Sequence, residues 1–340
     1  MMAHVSDMDL NGKSILVTGG SGSFGKHFAK MALEKYQPRR LIIFSRDEMK
    51  QFDMQNTVPF MGRENMRFFI GDVRDRDRLE RAFQGVDIVI HAAALKQVPT
   101  AEYNPFECIH TNVLGAENVV QAALRTGVKR VLALSTDKAA NPINLYGASK
   151  LAADKIFVAA NHLSGSIGTR FSVVRYGNVM GSRGSVIPFF QRLLREGTDA
   201  LPITDPRMTR FWITLTMGVE FVFSCVSMMQ GGEIFIPKIP SMKVVDLADA
   251  IAPGMPHRIV GIRPGEKLHE VMIAEDDART TIEFPDRYVI QPPFRWWSGD
   301  AYQNHGAKPV AEGFRYASDT NPEWLNASQL NAIIRATENE

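Results

Sequence analysis

Ser14-Ile15-Leu16-Val17-Thr18-Gly19-Gly20-Ser21-Gly22-Ser23-Phe24-Gly25 is the stretch that decides the fold. Ser14–Thr18 is a short apolar run of strand length, and Gly25–Tyr36 reads as a helix. Between them, Gly20, Gly22 and Gly25 fit G-x-G-x-x-G, and Gly19, Gly22 and Gly25 fit G-x-x-G-x-x-G equally well. A strand, a glycine turn and a helix N-terminus together make a cradle for a pyrophosphate. The glycines allow the tight turn, and the backbone N–H groups face the anion. Glycine-rich turns are common on their own; the flanking strand and helix are what give this one its nucleotide meaning. Ser21, Ser23 and Phe24 occupy the intervening positions and are candidate contacts to the same ligand.

Further runs follow at Leu41–Phe44, Met66–Ile70, Val86–His91, Arg130–Ser135 and Phe171–Tyr176. They are continuous rather than alternating in polarity, as expected of strands buried on both faces of a parallel sheet. Helix-like stretches separate them, at Arg76–Phe83, Pro105–Thr126 and Tyr146–Leu163. The repeated strand–helix–strand order predicts a doubly wound α/β sheet with right-handed crossovers. Residues 10–180 are expected to form the dinucleotide-binding domain, with a strand returning to it near 233–240, at Glu233–Ile236. Residues 181–340 are expected to supply most of a smaller, discontinuous substrate domain. In that half Pro237–Pro240 is a turn cluster, Val244–Ala252 is helix-like, and the chain from Pro285 onward is rich in Pro, Trp, Gly and Asn.

The 340 residues are enough for roughly two domains. Hydrophobic residues make up 45% and charged residues 22%, which excludes disordered and fibrous classes. Thirty-nine basic against 37 acidic residues leave a net charge of +2, so no nucleic-acid partner is expected. Two cysteines cannot build a disulfide framework or a four-thiolate zinc site, and the eight histidines are scattered, so no metal is expected. No apolar run reaches membrane-spanning length. Met1–Lys13 carries acidic residues and no apolar core of a leader, so a cytoplasmic protein is expected.

The second run ends Phe44-Ser45-Arg46-Asp47-Glu48-Met49-Lys50. An acid here usually takes the ribose 2′-hydroxyl of NAD, whereas an arginine takes the 2′-phosphate of NADP. Arg46 comes first and Lys50 follows one helical turn later, which favours NADP. Asp47 remains a ribose ligand if Arg46 points away. Ser45, Glu48 and Met49 complete the segment expected around that ribose. Asp72-Val73 is a candidate adenine contact, or simply a polar end to the third strand. Ala92-Ala93-Ala94 are small where the cofactor must pass.

Tyr146-Gly147-Ala148-Ser149-Lys150 places Tyr and Lys on one helix face, at the carboxyl edge where such sheets bind ligands. An adjacent ammonium favours tyrosinate, so the Tyr146 pKa is expected below its ordinary value of about 10. Ser135-Thr136-Asp137-Lys138 ends the fifth strand. A carboxyl and an amine there can serve as acid and base on one substrate. The plainer alternative is a helix cap by Asp137 beside a solvated Lys138.

With these residues in place, the chain resembles the extended short-chain dehydrogenase/reductase superfamily, a Rossmann-type fold. Within it the chain closely resembles the inverting UDP-N-acetylglucosamine 4,6-dehydratases, hydro-lyases that open the pseudaminic acid pathway. The shared stretches are Phe69–Asp75, His91–Lys96, Ser135–Ala139, Arg175–Val179, Ser182–Val186 and Arg263–Lys267. The likeness spans roughly residues 10–275 and weakens after Asp277. Related capsule-type and membrane-bound enzymes replace the active-site Tyr; Tyr146 therefore points to the soluble branch.

The resemblance implies a tightly held NADP that is reduced and reoxidised within one turnover. Tyr146, supported by Thr136 and Lys150, would take the C4 hydroxyl proton as hydride leaves C4. Lys138 would remove the C5 proton, Asp137 would protonate the departing C6 hydroxyl, and hydride would return to C6. Reprotonation of C5 from the opposite face gives the L-arabino 4-keto-6-deoxy sugar, UDP-2-acetamido-2,6-dideoxy-β-L-arabino-hex-4-ulose. The likeness adds Lys96, Val179, Met180, Gly181, Ser182 and Arg183 to the cofactor contacts. It assigns Lys96, Lys138, Asn178, Val186, Arg263 and Glu266 to UDP-N-acetylglucosamine. The Arg263 guanidinium suits a phosphate; apart from the likeness, Arg263–Lys267 reads as a surface turn.

Two alternatives share the scaffold: a C5-retaining 4,6-dehydratase, and a nucleotide-sugar 4-epimerase in which Asp137-Lys138 would be idle. A non-catalytic NADP sensor or scaffold is a third. A homo-oligomer is expected, because Pro105–Thr126 and Tyr146–Leu163 carry apolar residues on more than one face (Ile109, Val113, Val119, Val120; Ile156, Phe157, Val158). A lysine base also implies a Lys138 pKa below its ordinary value of about 10.4.

Overall fold

The computed structural model describes residues 10–181, 185–294, 297, 302 and 306–338. Six strands follow one another through the first half: β1 (Ser14–Thr18), β2 (Arg40–Ser45), β3 (Met66–Ile70), β4 (Ile88–His91), β5 (Arg130–Thr136) and β6 (Arg170–Tyr176). They pair in parallel in the order β3-β2-β1-β4-β5-β6. The order reverses between β1 and β4, so the crevice at their carboxyl ends is the natural ligand site of such a sheet. Ile15–Val17, Leu41–Phe44, Ile88–Ile90 and Val131–Ala133 are all buried, as the unbroken apolar runs predicted.

The returning strand is Ile234–Pro237, parallel to β6. The sheet then continues beyond it. Arg287–Ile290, Thr281–Glu283 and Lys308–Pro309 add three antiparallel strands, making ten in all. None of the three was visible in the sequence, because each is only two to four residues long and their antiparallel pairing is set by the fold rather than by a local pattern. A second apolar cluster gathers Ile187, Phe190, Trp212, Met242, Leu247 and Leu330 beside the cleft.

Helix α1 (Ser23–Lys35) buries Phe28, Ala29, Met31, Ala32 and Leu33. Phe28 packs on Phe223 of the helix Leu215–Met228, with ring centroids 4.9 Å apart. Helix α2 (Glu48–Gln55) is capped by Asp47, whose side chain accepts the Lys50 N–H at 2.9 Å.

The predicted helix Pro105–Thr126 is interrupted: a π-helical turn, His110–Leu114, separates Pro105–Ile109 from Gly115–Thr126. Its Asn112 exchanges hydrogen bonds with both backbone groups of Leu95 (2.8 and 2.9 Å) and donates to Ser149 Oγ at 2.9 Å. The wide turn thus fixes the loop before Lys96 against the helix Leu145–Ala160, as such turns commonly do beside sites. Val119, Val120, Phe157 and Val158 are buried in the core and are not the exposed faces the sequence suggested. The large apolar side chains actually exposed on these stretches are Phe106 (71%), Leu114 (49%) and Leu163, with Tyr103 exposed at the end of the short helix Val98–Tyr103 just before them.

Candidate active site

One cleft of about 1110 Å³ runs from the glycine turn, past the ends of the strands, to the loop around Arg263. At its inner end the glycines are needed for room. Gly19 sits at φ +66°, and a side chain there would come within 2.9 Å of the Ala93 nitrogen. A Cβ on Gly25 would collide with the Gly20 backbone, so α1 packs against the turn as closely as the backbone allows. Gly22, Ser21, Ser23 and Phe24 face the same space. Ser21 donates to Ser45 Oγ at 2.9 Å, which ties the turn to β2. These features fit the pyrophosphate and nicotinamide of a dinucleotide.

The rim at the end of β2 carries Arg46, Asp47 and Lys50, with Asp72 and Val73 beside them. The Asp47 carboxylate caps α2 and pairs with the Lys50 ammonium, so its charge is engaged locally. The Arg46 side chain is 56% exposed and pairs with Asp72. Glu48 and Met49 stand on α2 outside the cleft wall, Met49 at 65% exposure. Ala92 and Lys96 line the middle of the cleft, and Val179 lines its far wall. Met180 is buried in the second apolar cluster, and Gly181 is exposed at φ +68°. Ser182 and Arg183 lie outside the described residues.

The chemistry-bearing residues meet where β5 ends. Thr136 caps the short turn Asp137–Ala139, a role the sequence alternative gave to Asp137. Asp137 is fully buried behind the cleft wall. Its Oδ1 accepts from Lys138 Nζ at 3.0 Å and from Thr136 Oγ1 at 2.9 Å, while Oδ2 has no partner among the described residues. Lys138 also reaches Asn178 Oδ1 at 3.4 Å and Glu270 Oε1 at 3.3 Å.

Tyr146 enters on the helix Leu145–Ala160, capped by Asn144, which accepts the Gly147 N–H at 2.7 Å. Gly147 is obligatory: a Cβ there would strike the carbonyl oxygen of Lys138. Its absence of a side chain brings the Tyr146 helix against the Lys138 turn. Lys150, buried, donates to the Leu134 carbonyl at 2.6 Å. Beneath them Arg175 joins three elements. It binds Asp154 Oδ2 at 3.2 Å and the Met272 carbonyl at 2.8 Å, and Asp154 accepts from Ser135 at 2.9 Å.

Two expected pKa directions are reversed. Burial pushes the Tyr146 hydroxyl up to about 12; Lys138 opposes this, and the Asp137 charge adds to it. Burial also works to lower Lys138, but the Asp137 and Glu270 carboxylates outweigh it and raise its pKa. Asp137 itself is raised, chiefly by burial and against the pull of Lys138. Lys150 is lowered by burial, with Asp154 pulling back.

The end of the cleft away from the glycine turn is lined by Asn178, Val186 and the turn Arg263–Lys267. Arg263 is exposed and lies 3.8 Å from Glu266 Oε1. Asn144 Nδ2 donates to the Gly265 carbonyl at 2.7 Å, and Lys267 Nζ to the Ala140 carbonyl at 2.5 Å. The turn is therefore fastened to the N-cap of the Tyr146 helix and to the loop after Lys138. Glu270 and Arg210 were missed by sequence reasoning, since neither belongs to a local motif and only the fold brings them to Lys138. Among the described residues no group of three His, Cys, Asp or Glu could hold a metal, and no helix is long and apolar enough to cross a membrane.

Residues 15–292 match the family model described as "Polysaccharide biosynthesis protein". A curated relative, the UDP-N-acetylglucosamine 4,6-dehydratase (inverting) of Campylobacter jejuni, is 57% identical over 96% of this chain and 99% of its own. The UDP-glucose 4-epimerase of Rickettsia canadensis is 39% identical over 95% of each chain. Among solved structures, Pen from Bacillus thuringiensis superposes with a TM-score of 0.87 at 34% identity, over 97% of this chain and 99% of that one.

Proposed function

The chain belongs to the polysaccharide biosynthesis protein family, and from that premise we propose that it is a C5-inverting UDP-N-acetylglucosamine 4,6-dehydratase that works with NADP. The observation that carries this reading is the pair Asp137–Lys138 set against Tyr146 at one end of the dinucleotide cleft. An epimerase needs only reversible hydride transfer and a turning sugar; elimination of the C6 hydroxyl needs an added base and acid. The name of the 57% identical relative agrees with that chemistry.

When bound, the nicotinamide supplies the hydride acceptor and donor for both redox steps. Tyr146 takes the proton of the sugar's C4 hydroxyl, with Thr136 acting on its hydroxyl to lower the pKa. The nearby Lys138 ammonium favours the tyrosinate. The 4-keto group acidifies C5–H, and Lys138, having passed a proton to Asp137, accepts the C5 proton. Asp137, kept protonated more readily by burial, gives a proton to the leaving C6 oxygen. Arg263 and Lys96 face the UDP phosphates, and Asn178, Val186 and Glu266 surround the sugar. Arg46 and Lys50 read the 2′-phosphate. The product is the L-arabino 4-keto-6-deoxy sugar, made as the entry to pseudaminic acid. The protein is a homo-oligomer.

The test is to incubate the protein with UDP-N-acetylglucosamine in deuterated water and follow the product by mass and NMR. Loss of one water with deuterium at an inverted C5 is expected. A product of unchanged composition with a turned C4 hydroxyl would establish the epimerase instead.

A further inference from the structure

Glu270 is a buried carboxylate that the dehydratase reading leaves without a task. Its side chain is 3% exposed yet lines the cleft. Oε1 lies 3.3 Å from Lys138 Nζ and 3.8 Å from Arg210 Nε, and Oε2 has no hydrogen-bond partner among the described residues. A charge buried in this way is costly to fold around unless it is paired. Its backbone is held rigidly: its N–H donates to Ser318 Oγ at 2.9 Å, and its carbonyl accepts the Ser318 N–H at 2.8 Å. Arg210 donates to the carbonyls of Lys267 (3.0 Å) and Leu268 (3.1 Å). Lys267 in turn holds the Ala140 carbonyl, two residues beyond Lys138. The segment from Arg263 to Glu270 thus grips the catalytic turn at two points, one of them the lysine itself.

We propose that Glu270 is a positioning residue that fixes the Lys138 side chain at the reacting face and links it to the Arg263–Lys267 turn that closes the substrate end. The inference rests on the dehydratase reading and deepens it. A lysine stem has four flexible bonds, and Asp137 anchors it only from its own turn. Glu270 anchors it from another element and narrows the arc that Nζ can sweep. The charged and titratable groups facing Lys138 are Asp137 from its own turn, Glu270 from the segment before strand Val271–Ile273, Arg210 from strand Thr209–Ile213, Lys267 from the closing turn and Tyr146 from the helix Leu145–Ala160. Of these, the two carboxylates favour the ammonium. Removing one of them makes Lys138 neutral at lower pH, so the acid limb of kcat moves down.

The experiment compares the full-length wild type with Glu270→Gln and Glu270→Asp. Bound NADP and circular dichroism serve as folding checks, and water elimination and C5 deuterium exchange are followed across the pH range of stability. Glu270→Gln should lower the plateau kcat by about tenfold, keep KM within about threefold, and move the acid limb down by about one pH unit. Glu270→Asp keeps the charge but loses reach: kcat should fall by about threefold or more with the limb in place. This variant decides the matter if Glu270→Gln does not fold. An unmoved limb in Glu270→Gln, a loss confined to KM, or an unchanged kcat in Glu270→Asp would overturn the inference. Wild type is measured first: if it eliminates no water, the dehydratase reading fails; if it does and the variants match it, only the Glu270 inference fails.

Discussion

Arg46 Nη1 stands 3.5 Å from Asp72 Oδ2, so a guanidinium bridges the carboxyl ends of β2 and β3 on the rim of the dinucleotide cleft. The arginine is more than half exposed, and an ion pair of that kind contributes little by itself. The guanidinium can therefore turn to a 2′-phosphate at small cost. Arg46→Ala should weaken NADP about 10- to 100-fold, the scale of a charge-assisted hydrogen bond, and NAD by less than about threefold. Calorimetric titration of stripped protein with each cofactor measures both. Equal losses would remove Arg46 as the reader of that phosphate.

Lys138→Ala and Tyr146→Phe should fail at different steps. Lys138→Ala should keep NADP and the first hydride transfer, seen as nicotinamide absorbance, while C5 exchange drops by about 100-fold or more. Tyr146→Phe should block the absorbance change itself. Normal C5 exchange in Lys138→Ala would pass the role of base to Asp137 or to water.

Gly147→Ala inserts a methyl group where the Lys138 carbonyl already sits. Either the turn or the helix must shift, and a displacement of an ångström costs about 100-fold in rate when reacting groups are misplaced. The dinucleotide site lies along the cleft from this contact and should keep its affinity. A Gly147→Ala enzyme with wild-type kcat would show that the close approach of helix and turn is not needed.

Phe106 and Leu114 are large apolar side chains left exposed on two neighbouring segments. In the oligomer proposed here they are covered by another copy. Light scattering at micromolar concentration should report more than one subunit, and Phe106→Glu with Leu114→Glu should lower that mass. A wild-type monomer would contradict the proposal.

His91 is buried against Phe157 and hydrogen-bonded to Thr18 Oγ1 at 2.8 Å. Burial, aided by the Lys150 charge, lowers its pKa to about 3. The unfolded chain titrates near the ordinary value of about 6.5, so between these values it binds a proton the folded state refuses. The stability His91 confers is complete above about pH 6.5 and is lost as pH falls toward 3, at up to about 1.4 kcal/mol per pH unit. His91→Asn should start less stable and show a shallower acid slope in denaturant titrations. An identical slope would mean that other groups govern acid unfolding.

The parallel half of the sheet was legible because its inner strands carry unbroken apolar runs between helices, as at Ile15–Val17, Leu41–Phe44 and Ile88–Ile90; the edge strand β3 departs from the expected burial, with Arg67 and Ile70 exposed. The turn at Gly19–Gly25 and the helix opening at Tyr146 were equally plain, since each is a local pattern. What was hidden depends on distance along the chain. Glu270 reaches Lys138 only through folding, and nothing about its neighbours marks it. The directions of the Tyr146 and Lys138 pKa values were misjudged because burial and a second carboxylate cannot be read from spacing. The π turn at His110–Leu114 was missed because its cause, Asn112 bonding to Leu95, is tertiary.

The Arg175 strut has a mutational consequence. Through Asp154 and Met272 it bolts the strand beyond Glu270, the helix of Tyr146 and the end of β5 into one chassis. Arg263 stands outside that chassis, on an exposed turn held by a few hydrogen bonds. Substitutions at the exposed Arg263 side chain leave the strut undisturbed, whereas a substitution at Arg175 loosens three elements at once.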